Sequence, residues 1–240
     1  MHRLLFLLCF VCVRNITDKK MPPAASASSA PLTASLSAAI KVWQGKNPDK
    51  RLDQESVVKL LCMTPPIDKI DNSVNAFFNC VQLSLSTNCI DKIPLLPKSG
   101  LPKIQILSLG RNMIKKISGL EEIGSTLREL WISYNQISTL DGLNCCIKLE
   151  TLFISNNKIK EIAEIRKLSA NLCLSNCNLT GNPIYSEAFM RTNIIRTLPQ
   201  LLVLDGELIT ENERVSSTPE SATGRKQTPT TETIHNATPI

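Results

Sequence analysis

Histidine is nearly missing: the 240 residues hold two, His2 near the start and His235 close to the end. With no imidazole in the long stretch between them, Ser–His and Cys–His nucleophile pairs and histidine-ligated metal sites lack their partner. The chain also has no G-x-x-x-x-G-K-[ST] phosphate loop and no G-x-G-x-x-G turn. Aromatic residues make up 4% of the sequence, too few for a surface of stacked rings, and the formal charge of +6 is modest, so a nucleic-acid partner is not expected. The basic residues are scattered (Lys115 and Lys116, Lys158 and Lys160, Arg166 and Lys167, Arg191 and Arg196) and read as solvated faces that a partner with an acidic surface could use. The apolar run from Leu4 to Val13 is ten residues, where a bilayer span takes about 20; no membrane partner is expected. Nine cysteines are present, but the one Cys-x-x-Cys, Cys9 and Cys12, lies in that apolar leader with no companion pair. Neither a zinc site nor a disulfide framework follows. Cys80, Cys89, the adjacent Cys145 and Cys146, Cys173 and Cys177 read as buried or incidental thiols in a reducing compartment. Acidic residues such as Glu121, Glu122, Glu161 and Glu164 read as solvated charge. These absences leave a non-catalytic binding module without metal or cofactor.

What the chain does have is a repeated phrase: an apolar residue, any residue, an apolar residue, two residues, asparagine, one residue, an apolar residue. The copies are Leu83-x-Leu85-x-x-Asn88-x-Ile90, Leu107-x-Leu109-x-x-Asn112-x-Ile114, Leu130-x-Ile132-x-x-Asn135-x-Ile137, Leu152-x-Ile154-x-x-Asn157-x-Ile159 and, more weakly, Cys177-x-Leu179-x-x-Asn182-x-Ile184. The asparagines are 24, 23, 22 and 25 residues apart, within the roughly 20–29 residues of a leucine-rich repeat. Apolar residues at alternate positions share one side of a strand, so stacked copies predict an α/β solenoid with a parallel sheet on its concave face. The asparagine stands where the chain leaves the strand. Its amide can bond backbone groups that the turn strands, so Asn88, Asn112, Asn135, Asn157 and Asn182 are expected to form a structural ladder. No single repeat buries its apolar side, and helical caps are expected at both ends.

The flanks divide the chain into a leader and flexible linker over residues 1–34, a repeat domain with caps over 35–206, and a Thr/Ser/Pro-rich tail over 207–240 expected to be disordered. The leader fits the core of a secretory signal, but no small-x-small cleavage site follows Val13, and Met21 offers an alternative start. Leu36, Ile40 and Trp43 predict a first cap helix, and Val57, Val58, Leu60 and Leu61 a second one over about Gln54–Cys62, N-capped by Asp53 and ended by Pro65 and Pro66. Return segments run from Leu96 to Ile104, Ile117 to Leu127, Leu140 to Leu149 and Ile162 to Leu174, with room for a helical turn or two and with Gly119 and Gly142 at turns. Ser186 to Thr197 predicts a last helix, followed by the closing Leu198–Gly206.

A binding surface can be read as columns. Between the two apolar positions stand Ser84, Ser108, Trp131, Phe153 and Asn178; just before the asparagine stand Thr87, Arg111, Tyr134, Asn156 and Gly181; and before those stand Ser86, Gly110, Ser133, Ser155 and Thr180. Trp131, Tyr134 and Phe153 therefore meet on the open face of the third and fourth repeats. With Arg111, Ser84 and Ser108 beside them, they have the composition of a protein-binding hot spot. The competing reading is that the rings cover their neighbours across the sheet.

The wording of the repeats is specific enough to suggest a family. Leu83-Ser-Leu-Ser-Thr-Asn-Cys-Ile90 with Asp91-Lys92-Ile93, Ile106-Leu-Ser-Leu-Gly-Arg-Asn112 and Glu129-Leu-Trp-Ile-Ser-Tyr-Asn135 resemble the leucine-rich-repeat light chain 1 family of axonemal outer-arm dynein. Pro65-Pro66-Ile67-Asp68-Lys69, Gly181-Asn-Pro183 and Leu204-Asp-Gly206 add to the resemblance, which runs from about Ser35 to Gly206. It implies a light chain in the cytoskeleton of the cilium or flagellum axoneme. Such a chain binds a dynein heavy chain on its motor unit near the microtubule-binding stalk, contacts tubulin on microtubules, and regulates motility. It also implies that the sheet face, here with Trp131, Tyr134 and Phe153, receives the heavy chain. Ser186–Thr197 departs from the family pattern, and so does the fifth repeat, where Asn171, Asn176 and Asn178 replace mostly apolar residues. Two other readings stay open: a secreted repeat protein, on the leader and the sequons at Asn15, Asn178 and Asn236, and a phosphatase-regulating repeat protein.

Overall fold

The computed structural model describes residues 33–186 and 188–217. The signal-like leader, the Pro22–Pro31 linker, the tail beyond 217 and the sequons at Asn15 and Asn236 lie outside the described residues. The chain opens with β1 (Ala34–Ser35), α1 (Leu36–Lys46), a 3₁₀ turn (Leu52–Gln54), β2 (Val57–Lys59), β3 (Ile67–Lys69) and a second 3₁₀ turn (Asn72–Ala76). The strands β4 (Gln82–Ser84), β5 (Ile106–Ser108), β6 (Glu129–Trp131) and β7 (Thr151–Phe153) follow. After them come α2 (Ile162–Arg166), which runs into a 3₁₀ turn (Lys167–Ala170), β8 (Asn176–Asn178), a 3₁₀ turn (Pro183–Ser186), α3 (Met190–Thr197), β9 (Val203–Leu204), β10 (Glu207–Leu208) and α4 (Glu211–Ser217).

One sheet runs through the repeats in the order β2-β4-β5-β6-β7-β8-β9-β10, parallel except for the antiparallel β9–β10 pair. Its register aligns the first apolar position of every repeat: Val58, Leu83, Leu107, Leu130, Leu152, Cys177 and Leu204 face one another in turn. These seven are each at most 1% exposed, as are the second-column residues Leu60, Leu85, Leu109, Ile132, Ile154 and Leu179. The two columns, with Ile90, Ile114, Ile137, Ile159 and Ile184 after each asparagine, form the core of a leucine-rich-repeat α/β solenoid. Each such side chain contributes about 1.5–3 kcal/mol through burial.

The asparagines link the repeats. Asn112 accepts the Ile90 N–H through Oδ1 at 3.0 Å, and its Nδ2 donates to the carbonyls of Leu85 at 3.1 Å and Leu109 at 2.9 Å. Asn88, Asn135, Asn157 and Asn182 make the same three kinds of bond one repeat along the stack, each bridging its own strand to the repeat before it. All five are no more than 8% exposed, so these bonds form away from competing water. Just past β9 the Asp205 side chain stands in for a backbone carbonyl: its Oδ1 accepts the Leu179 N–H at 2.7 Å, and its Oδ2 accepts the Tyr185 hydroxyl.

Three expectations are corrected. The second cap helix over Gln54–Cys62 is absent: after the 3₁₀ turn the chain becomes β2, the first rung of the sheet. Val58 and Leu60 are fully buried while Val57 and Leu61 are exposed, an alternation that serves a strand and not a helix. Asp53, expected as that helix's cap, instead pairs with Arg51 at 2.9 Å. Among the return segments, only the fourth holds an α-helix, α2; the others pass as turns. Gly119 and Gly142 sit there at φ +71° and +88°, with no room for a Cβ beside the carbonyls of Pro94 and Ile117. Finally, residues 207–217, given to the tail on composition, form β10 and α4. The latter is fastened by Arg191 Nε to Glu213 at 2.7 Å and by Arg214 to the Leu201 carbonyl at 2.6 Å.

The N-terminal cap is a single helix. Ser35 caps α1, and Asp71 accepts the N–H groups of Ser37 at 3.2 Å and Ser73 at 3.0 Å, tying the helix start to the turn after β3. Burial works against ionisation of Asp71. The bonds from Ser73 and Ser37 outweigh it and hold the carboxyl down to about 2. Leu36 and Ala39 are buried, and Ile40 and Trp43 pack against the core half-buried.

Candidate functional site

On the sheet face, the side chains that do not enter the core stand in rows one repeat apart. The residue just before each ladder asparagine has a left-handed backbone: Thr87 (φ 59°), Arg111 (56°), Tyr134 (59°), Asn156 (54°) and Gly181 (71°). For a residue with a Cβ this conformation costs about 1–2 kcal/mol. It is held because the N–H groups of Thr87, Arg111, Tyr134 and Asn156 reach the next repeat's carbonyl, as from Arg111 to Ser133 at 2.8 Å and from Tyr134 to Ser155 at 2.9 Å. The turn directs Arg111 and Tyr134 along the same rim. The Arg111 guanidinium carbon lies 4.3 Å from the centre of the Tyr134 ring. A cation in this position is attracted to the ring face by about 0.5–1 kcal/mol at an exposed site.

Below that rim, β6 and β7 place Trp131 beside Phe153 in register. Their rings meet edge to face, with centroids 5.1 Å apart and planes at 76°. The indole N–H of Trp131 donates to Glu129 Oε2 at 3.0 Å, which fixes the ring along its own strand. Both rings are half-buried and Tyr134 is 44% exposed, so apolar surface remains for a partner. The structure brings Trp131 and Phe153 together, and Tyr134 together with Arg111, as two separate pairs. Ser84 and Ser108 are only 7% exposed and form a low floor beside the rings. Around them, Ser155 donates its hydroxyl to Ser133 at 2.9 Å, and Asn178 Oδ1 accepts the Thr180 hydroxyl at 2.8 Å.

Residue-by-residue reading missed the row one position before the first apolar residue: Gln82, Ile106, Glu129, Thr151 and Asn176, all half-buried on this same face. The signal was available, because residues two apart in a strand share a face and Glu129 is two before Trp131. The fifth repeat, which departs from the family pattern, keeps Cys177, Leu179 and Asn182 buried, with Cys177 in register opposite Leu152. Its departures carry a cost: the Oδ1 atoms of Asn171 and Asn176 are buried without a hydrogen-bond partner among the described residues.

The described residues hold no group of three or more His, Cys, Asp or Glu side chains placed to bind a metal ion. Burial pushes the Cys80 thiol up to about 11 and raises those of Cys146 and Cys177 further, so none of the three starts thiolate chemistry at neutral pH. No described helix is long and apolar enough to cross a membrane.

Comparison with known proteins agrees with this architecture. A leucine-rich-repeat family model in two copies matches residues 125–167. The chain is 43% identical over 184 residues to dynein axonemal light chain 1 of Mus musculus, covering 75% of this chain and 95% of the relative. It is 43% identical over 179 residues to the protein of that name in Danio rerio (73% and 92% covered), and 40% identical over 183 residues to that in Chlamydomonas reinhardtii (73% and 91%). Among solved structures, a chain of the Drosophila melanogaster SNF/U2A′ complex superposes with a TM-score of 0.53 at 23% identity, covering 57% of this chain and 78% of that one, a likeness of fold alone.

Proposed function

The chain belongs to the dynein axonemal light chain 1 family, and from that premise we propose that it binds the motor unit of an axonemal dynein heavy chain through its sheet face. Its place is the cytoskeleton, in the axoneme of the cilium or flagellum. The observation that carries the reading is the Trp131–Phe153 pair, a preformed edge-to-face contact on a face where serine, threonine and asparagine fill most of the neighbouring positions. Rigid aromatic anchors ringed by polar groups are where binding energy concentrates in protein interfaces. The Arg111–Tyr134 stack extends the patch by one charge, suited to an acidic side chain on the partner. In this reading the protein is a non-catalytic regulator, engaging the heavy chain near its microtubule-binding stalk and so adjusting the beat. Tubulin is a second candidate partner.

The test is a pull-down of a dynein heavy-chain motor fragment by the full chain and by the Trp131→Ala, Phe153→Ala double variant. Loss of the fragment with the fold intact by circular dichroism supports this face; undiminished recovery removes it. Adding microtubules to the same assay, without the heavy chain, separates direct tubulin contact from contact through the motor.

A further inference from the structure

The return segment between β6 and β7 carries two adjacent thiols that the sheet face does not use. The chain turns at Gly142, and the Cys146 N–H donates to the Leu143 carbonyl at 3.0 Å. This turn sets the Sγ atoms of Cys145 and Cys146 3.8 Å apart, with the Cys145 thiol donating to the Gly142 carbonyl at 3.2 Å. The two are unequal: Cys146 is fully buried, while Cys145 is half-buried and packs against the edge of the core. The segment also touches its neighbours on both sides. A Cβ on Gly124 would lie 2.5 Å from the Cys145 carbonyl oxygen, and Asn171 donates to the carbonyls of Cys146 at 2.9 Å and Leu143 at 2.8 Å.

We propose that Cys145 and Cys146 form a modification site for low-molecular-weight disulfides of the glutathione class, with Cys145 entering the exchange and Cys146 completing it as a vicinal disulfide. In the first step Cys145 gives up its proton and its thiolate attacks one sulfur of the incoming disulfide. That S–S bond breaks, and the departing thiolate takes up a proton. In the second step Cys146 gives up its proton and attacks Cys145 Sγ, forming the bond between the two residues and releasing the second thiol. The protein loses two protons and two electrons, and the small disulfide gains both.

The order of the steps follows from the surroundings. Burial first, and then neighbouring Cys145, hold the Cys146 thiol above its ordinary range, so it does not start the exchange. Once Cys145 is capped it no longer opposes ionisation of Cys146, and the buried thiol is already beside the sulfur it must attack. Consecutive Cα atoms are about 3.8 Å apart, below the span of about 4.4–6.8 Å that an unstrained disulfide prefers. The ring is therefore readily reduced, which makes it a reversible mark and not a staple.

The test uses the full chain and oxidised glutathione, followed by alkylation, trypsin digestion and mass spectrometry. The peptide Glu129–Lys148 contains Cys145 and Cys146 and no other cysteine, while Leu60–Lys69 contains Cys62 alone. The expected result is loss of two hydrogens on Glu129–Lys148, reversed by dithiothreitol, while Leu60–Lys69 stops at the glutathione adduct. Cys146→Ser should hold the adduct on Cys145, and Cys145→Ser should leave Cys146 unmodified. The proposal fails if the wild-type peptide stays as a stable adduct, if it is untouched, or if ring closure requires denaturant.

Discussion

Replacing Asn135 with alanine isolates what the ladder contributes. Four bonds disappear: from the Ile114 N–H to Oδ1 at 2.9 Å, from Nδ2 to the carbonyls of Leu109 and Ile132, both at 3.0 Å, and a longer one from Nδ2 to the Ser133 carbonyl at 3.3 Å, which the Arg111 N–H also bonds. They are not equivalent. The Leu109 carbonyl still accepts from Asn112 at 2.9 Å, and the Ile132 carbonyl from Asn157 at 3.1 Å, so both keep a partner. The Ile114 N–H has no such reserve and is left buried and unpaired, at about 1–3 kcal/mol. The two shorter shared bonds add roughly 0.5–1 kcal/mol each and the longer one less, for a total of about 2–5 kcal/mol. At about 2–4 °C per kcal/mol in a chain of this size, the melting temperature should fall by about 4–20 °C. Urea and thermal denaturation followed by circular dichroism measure this directly. A loss below about 0.5 kcal/mol, the range of a neutral surface change, would refute the reasoning that the asparagines satisfy groups the repeats cannot satisfy alone.

Glycine substitutions should divide by backbone geometry. At Gly119 (φ +71°) a Cβ would fall 2.0 Å from the Pro94 carbonyl oxygen, so Gly119→Ala should cost more than about 2 kcal/mol in urea unfolding. At Gly45, inside α1, a Cβ meets nothing within 4 Å, so Gly45→Ala should stabilise by about 0.5–1 kcal/mol. The Asp71 anchor carries a pH signature. Its folded value of about 2 lies below the unfolded value, so its contribution is complete above about pH 4 and is lost as pH falls through about 2. The stability gap between wild type and Asp71→Ala in urea should therefore narrow steadily between those limits; a gap independent of pH would contradict the assignment.

The sheet and its register were legible because Leu-x-Leu-x-x-Asn fixes both the strand and the point where it ends. The first rung was hidden. After β2, Met63 stands where other repeats have asparagine, and Val57-Val58-Lys59-Leu60-Leu61 fits a helical stripe until Val58 is set opposite Leu83. The closing side chain was hidden too: Asp205 acts by accepting the N–H that a strand carbonyl accepts in the other repeats, a role visible only with Leu179 and Tyr185 around it. For the candidate site, columns brought Trp131 next to Phe153 correctly, because cross-strand neighbours share a register. They could not foresee that Tyr134 pairs with Arg111, since that contact depends on the left-handed turn before each asparagine. Glu129 was overlooked because it lies before the repeated phrase begins, although its oxygen fixes the Trp131 indole.

The measurement that bears most directly on the account is the affinity of the full chain for a dynein heavy-chain motor fragment, by titration calorimetry. Two variants are compared with the wild type: Trp131→Ala with Phe153→Ala on the sheet face, and Ile147→Ser, an exposed residue on a return segment, as control. Removing two central aromatic anchors should cost about 2 kcal/mol or more, weakening binding at least about thirtyfold, while the control stays within about threefold. Equal affinities for the wild type and the folded double variant would contradict the claim that the stacked repeats present these rings to hold the motor.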